Sequence, residues 1–309
     1  MAVPNLHNTF GAAFIGNSIA MLLYGVTTLQ TYLYYMYYPN DRRDTKILVA
    51  VIWILDTLHI SLTCHSMYYY LVSNFGNVAA LAVGTWSLYA SLAVNLCIAV
   101  LVQMFFSLRI FYLCRQEIRW IVSAPIVLMV VVHFAFGIET VVFMFMKEQF
   151  QALSQITYYA ATPFAVTAVL SDILIAGALC ILLYGKRSPF FQTNDLVDSL
   201  IVYAINRCLL TSLVAVIEVI VFAILPNSLW FLAIDFVIGK LYANSFLASL
   251  NSRGSLRDRE LQRNDAESSI RINSARTTEW RVAANINNSR TSRDKYKHRS
   301  TTGTISTNL

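Results

Sequence analysis

Charged residues are scarce in this chain. Asp, Glu, Lys and Arg make up 13% of its 309 residues, about half of the quarter that soluble domains carry. So thin a supply cannot cover a globule of this size with a solvated surface, which argues against a soluble enzyme. Glycine (11), proline (6) and cysteine (5) are few as well, which excludes a collagen and a disulfide-stapled mini-protein. The cysteines Cys64, Cys97, Cys114, Cys180 and Cys208 fall within or beside apolar stretches, so no structural disulfide is expected. The motifs of common chemistry are missing too. There is no H-E-x-x-H or C-x-x-C spacing, no Gly-rich phosphate loop and no nucleophile elbow. Neither a metal, nor a cofactor, nor catalysis is expected.

What the chain does have is apolar length, with 57% hydrophobic residues. A membrane-crossing helix needs about 20 mostly apolar residues. Seven such runs can be read, at about 10–36, 47–70, 86–113, 120–146, 157–184, 199–225 and 229–250. Between them lie polar breaks such as YYPNDRRDTK (37–46), CRQEIRW (114–120) and GKRSPFFQTND (185–195). Val78–Thr85 is apolar but too short to span alone. The runs lack the alternation of barrel strands, and lipid tolerates only helices or closed barrels. The expected fold is an all-α, seven-helix transmembrane bundle over residues 1–250.

Charge is also unevenly placed. Residues 1–250 hold eleven basic and eleven acidic residues, whereas 251–309 hold twelve basic against six acidic. The surplus of +6 therefore sits in the tail. Basic residues flanking spans stay cytoplasmic. Arg42, Arg43 and Lys46, then Arg115 and Arg119, then Lys186 and Arg187, alternate with loops almost free of basic residues. The N-terminus is expected outside or in a lumen, the tail in the cytoplasm, and the first span is read as a retained signal-anchor. The plasma membrane is the favoured location. The tail is rich in Ser, Thr, Asn and Arg, and is expected to be disordered and to face anionic inner-leaflet lipid. Its basic residues are not interleaved with aromatics, so nucleic acid is not an expected partner.

Ionisable groups inside a bilayer are costly and normally have partners. Asp56, His133, Asp172 and Lys240 fall near the midplane by residue count. Asp56, His59, Thr63 and Ser66 follow steps of three, four and three, and share a helix face. Lys240 and Asn244 share another. A buried pairing of Lys240 with either Asp56 or Asp172 is expected, giving a candidate polar network of Asp56, His59, Asp172, Lys240 and Asn244. A pairing that only fixes helix register explains these residues at least as well. A second stripe on the sixth run comprises Tyr203, Arg207, Thr211 and Glu218. His65 and His133 read as satisfied core histidines.

The end of the third run, SLRIFYLCRQ, lacks D-R-Y, and KLYANSFLASL lacks N-P-x-x-Y, so the chain does not follow G-protein-coupled receptors. The stretches YGVTTLQTYLYY (24–35), LDTLH (55–59), YLVSNFGN (70–77), LLTS (209–212) and KLYANSFLASLNSR (240–253) resemble the fungal multi-pass family catalogued as domain of unknown function 6534. The resemblance runs over about residues 10–253. It implies a seven-helix membrane protein and brings no assigned ligand, reaction or catalytic residue. Three roles fit the sequence: a receptor-like sensor of a small ligand with a cytosolic partner at its tail, a transporter or proton path through the midplane charges, and a membrane scaffold. The first is favoured.

Overall fold

The computed structural model describes residues 7–147, 162–184, 209–221, 224–225 and 228–252. The chain divides into two compact units, Met1–Gly254 and Ser255–Leu309, and every described residue belongs to the first. The tail, expected to be disordered over 251–309, starts differently, since Asn251 and Ser252 are helical; its remainder, and the candidates Tyr203 and Arg207, lie outside the described residues.

The described chain is helical, with no β-strand among the described residues. Its helices are α1 (Ala12–Tyr37), α2 (Arg43–Tyr68), α3 (Val78–Leu81), α4 (Trp86–Leu113), α5 (Arg119–Lys147), α6 (Thr162–Tyr184), α7 (Leu209–Val221) and α8 (Trp230–Ser252). Six of them, α1, α2, α4, α5, α6 and α8, are long and apolar enough to cross a membrane. Their large apolar side chains do not all point inward: Leu22, Leu128 and Ile181 are at least 64% exposed. An apolar exterior of that kind is costly in water and ordinary in lipid. The chain is a membrane-embedded, multi-pass helical protein.

Where the observed helices depart from the expected runs, polar chemistry is the cause. α2 begins at Arg43 rather than 47, because a helix continues past the hydrocarbon edge into charged residues; Asp44 occupies its first turn, where the helix dipole favours an acid. At its far end a π-turn, Tyr69–Ser73, prolongs it. That turn seats Tyr70, whose hydroxyl donates to the Val83 carbonyl and accepts from the Thr85 amide, both at 2.8 Å. The segment from Val78 does not lengthen α4. It forms the separate turn α3, capped by Asn77, and α4 starts afresh after Thr85, whose Oγ1 accepts from the Leu88 amide. Of the sixth expected run, 199–225, the described part includes the 13-residue α7.

α4 and α8 are the most enclosed of the long helices. α4 packs against α2, α5 and α6. α8 lies beside α1 and runs parallel to it. Leu229 donates its amide to the Asn8 carbonyl, Ala233 abuts Gly16, Asn244 reaches the Leu23 carbonyl and Asn251 that of Gln30, so both chains advance together. Gly16 permits this approach, because a Cβ there would collide with the Ala233 backbone. α7 runs against α8. Thr211 stands level with Tyr242, both bonding Asp172, while Glu218 and Asp235 line one cavity.

Candidate functional site

Three polar assemblies surround α8. The first joins α2 to α8. Lys240 donates from Nζ to Asp56 Oδ1 at 2.5 Å and to the Asp56 carbonyl at 3.0 Å, with both side chains wholly buried. The Tyr24 ring lies 5.6 Å from Nζ, close enough for cation–π attraction. Of the two partners the sequence left open for Lys240, the structure places Asp56 beside it. His59, one turn along α2, is buried against Phe236, and neither ring nitrogen has a hydrogen-bond partner. Asn244 uses its amide to tie α8 to α1, donating to Leu23 O at 3.1 Å and to Lys240 O at 2.9 Å.

Asp172 belongs to a different assembly, on the side of α8 turned toward α6 and α7. Its Oδ2 accepts from Thr211 Oγ1 and Tyr242 OH, both at 2.8 Å, and its Oδ1 from Gln103 Nε2 at 3.2 Å. Gln103 Nε2 also donates to Ser171, and its Oε1 lies 3.0 Å from His133 Nδ1. His133 stacks on Phe164 with centroids 5.0 Å apart. His133 is buried as expected, but His65 is exposed rather than in the core, and its Nδ1 lies 2.8 Å from Ser87 Oγ.

The third assembly lines a cavity of about 110 Å3 enclosed by α4, α5, α6, α7 and α8. Most of its wall is apolar, with Leu92, Leu96, Phe164 and Phe231 among the lining residues. Glu218 and Asp235 also line it. Asn95 Nδ2 donates to Asp235 Oδ1 at 3.0 Å and to the Asp235 carbonyl at 2.9 Å, while Asp235 Oδ2 is buried without a partner. Gly239 makes room for Asn95, whose Oδ1 a Cβ at that position would strike. Tyr242 and His133 line the cavity as well as joining the Asp172 assembly, so a ligand in it would touch both.

The expected stripe on the sixth run therefore splits between two assemblies: Thr211 bonds Asp172, and Glu218, seven residues on, faces the cavity. Asn95, Gln103 and Tyr242 were absent from the sequence candidates. A signal for two of them exists in Ser87, Ser91, Asn95, Gln103 and Ser107, spaced by four or eight residues along α4 and all buried. That spacing gives a polar stripe on an otherwise apolar helix. Among the described residues no group of three or more His, Cys, Asp or Glu side chains could hold a metal ion. Cys64, Cys97, Cys114 and Cys180 are free thiols; Cys208 lies outside the described residues.

Residues 168–255 match a family of unknown function, DUF6534. The match takes in most of α6, with α7 and α8, and with them Asp172, Glu218, Asp235 and Lys240, a shorter stretch than the 10–253 expected from the sequence. No curated protein and no solved structure matches the chain.

Proposed function

We propose that the chain is a seven-helix membrane receptor-like protein, with its N-terminus outside and its tail in the cytoplasm, that senses a small ligand and performs no catalysis. The parallel run of α1 and α8 supports the seventh crossing. Two parallel spans require an odd number of crossings between them; α2, α4, α5 and α6 supply four, and α7, antiparallel to α8, supplies the fifth. In the orientation favoured by the flanking basic residues, the cavity lies in the outer half of the bundle, near the starts of α4 and α8. The observation that carries the sensing role is this cavity, mostly apolar with a few convergent polar groups, as ligand pockets are. Its contact with Tyr242 links it to the three-helix junction at Asp172, an element whose packing a ligand could bias.

A second reading, a proton pathway, is favoured by one feature. The buried Lys240–Asp56 pair stands beside His59, whose nitrogens have no partners, and groups of this kind form proton relays in membranes. Vesicles reconstituted with the full chain and loaded with a pH-sensitive dye separate the two. The sensor reading expects proton flux equal to that of protein-free vesicles under an imposed gradient. Flux above that level, removed by Asp56→Asn, would overturn it in favour of the pathway.

A further inference from the structure

We propose that the cavity lined by α4, α5, α6, α7 and α8 is a binding site for a small protonated amine, whose ammonium group sits between Asp235 and Glu218 while its carbon body lies against the apolar wall.

The inference starts from an imbalance. Two carboxyl groups face one small space, and neither forms an ion pair among the described residues. Asp235 has a single hydrogen-bonded oxygen, supplied by the neutral amide of Asn95. Its other oxygen, on a residue only 8% exposed, has no donor. Glu218 forms no hydrogen bond with any described residue. Lys240 cannot serve either acid. It is five residues from Asp235 on α8, about 140° around the helix, and is committed to Asp56. Acidic groups in lipid normally have a cationic or hydrogen-bond-donating partner and mark substrate paths. Here the missing partner is a cation that also donates hydrogen bonds, which an ammonium does.

The rest of the wall selects against a bare metal ion and for an organic body. Thr140 and Asn95 add side-chain oxygens to the two carboxyl groups, but Leu92, Leu96, Phe164 and Phe231 keep most of the lining apolar, which suits a carbon body better than a hard cation that takes six or more oxygens. The aromatic rings add cation–π attraction for an ammonium within about 6 Å. The cavity, about 110 Å3, is somewhat smaller than the apolar cavity of about 150 Å3 that accepts benzene, so an amine of about four or five heavy atoms fits. This assignment rests on the sensor reading and names the class of ligand sensed.

The test is a thermal-unfolding titration of the full chain in nanodiscs with three probes of one shape: n-butylammonium, n-butanol and butyrate. The expected result is a saturable rise in Tm with n-butylammonium alone. Asp235→Asn and Glu218→Gln should each weaken the apparent affinity about tenfold, the loss of one charge-assisted contact. Ala168→Leu, which fills the cavity from α6, should abolish the rise. Glu218→Gln carries the test if Asp235→Asn does not fold, since Glu218 has no hydrogen bond to lose. Equal shifts with butanol, an amine shift unchanged by both carboxamide variants, or no shift with any probe would each overturn the amine assignment. A butanol shift that Ala168→Leu removes would do so while leaving a ligand-sensing cavity in place; the flux assay decides the sensor reading separately.

Discussion

Removing the Lys240–Asp56 pair one partner at a time should cost more than removing it whole. Both side chains are fully buried, and Nζ reaches two acceptors, Asp56 Oδ1 at 2.5 Å and Asp56 O at 3.0 Å. Breaking a buried pair by deleting one partner typically costs about 3–5 kcal/mol. Lys240→Met belongs at the upper end, about 4 kcal/mol, because it leaves a carboxylate whose Oδ1 has lost its donor and whose Oδ2 never had one. Asp56→Asn should be milder, about 3 kcal/mol, since the amide oxygen and the residue 56 carbonyl still accept from Nζ. The double variant carries no charge and leaves only a buried amide short of partners, about 1–3 kcal/mol. The coupling between the two positions is then at least about 4 kcal/mol. Reversible unfolding of the four proteins in mixed micelles measures it directly. A coupling below about 0.6 kcal/mol, the average for ordinary interhelical hydrogen bonds in a membrane, would refute the argument that these charges stabilise each other across α2 and α8.

Three further outcomes are expected. Gly239→Ala should lower the melting temperature and weaken amine binding together, because the added Cβ would displace the Asn95 side chain that holds Asp235; Gly25→Ala, where a Cβ meets nothing, should be neutral or stabilising by up to about 1 kcal/mol in the same melt. Gln103→Leu deprives Asp172 Oδ1 and His133 Nδ1 of their shared partner and should cost about 1–3 kcal/mol in the micelle unfolding assay; a smaller effect would mean that the junction is not held through Gln103. Epitope tags at Met1 and Leu309 should answer to antibody from opposite faces of an intact cell, and labelling of both from one face would refute an odd number of crossings.

Most of the architecture could be read from hydropathy because the bilayer imposes a length on each helix, and the described helix ends fall within a few residues of the apolar runs in all but a few places. The differences arise where something other than the apolar run sets a boundary: Asp44 and Arg43 extend α2, Tyr70 draws a π-turn onto the next loop, and Thr85 restarts the helix as an N-cap. The polar assemblies were harder to read, for a geometric reason. A single helix shows which of its residues share a face but not which neighbour that face meets. Asp56 and Asp172 are equally reasonable partners for Lys240 on depth alone. What separates them is the azimuth of Lys240 and Tyr242 on α8, two residues and about 160° apart around the helix, which sends one toward α2 and the other toward α6. The spacing of Ser91, Asn95, Gln103 and Ser107, in steps of four or eight, puts them on one helix face, but each residue is uncharged, and a search for intramembrane charge passes over it.

The same angular arithmetic explains why α8 can carry an acid and a base without their cancelling. Asp235 and Lys240 are too far apart around the helix to pair, so each must be satisfied by a different neighbour. Lys240 finds a full counter-charge in Asp56. Among the described residues Asp235 finds only the Asn95 amide and a second acid lining the same cavity, Glu218, on the antiparallel α7. Burying both acids costs free energy, and a chain selected for stability alone would do better with an apolar residue at either position. Their placement beside a cavity, while a nearby lysine is fully occupied elsewhere, is what a site for an external cation requires. Binding would then draw α7 and α8 together at that end of the bundle, seven residues and about two helical turns of α8 from the Tyr242 level. A cation arriving at Asp235 would therefore reach the Asp172 junction through the shared walls formed by Tyr242 and His133, rather than through the Lys240–Asp56 pair on the opposite side of α8.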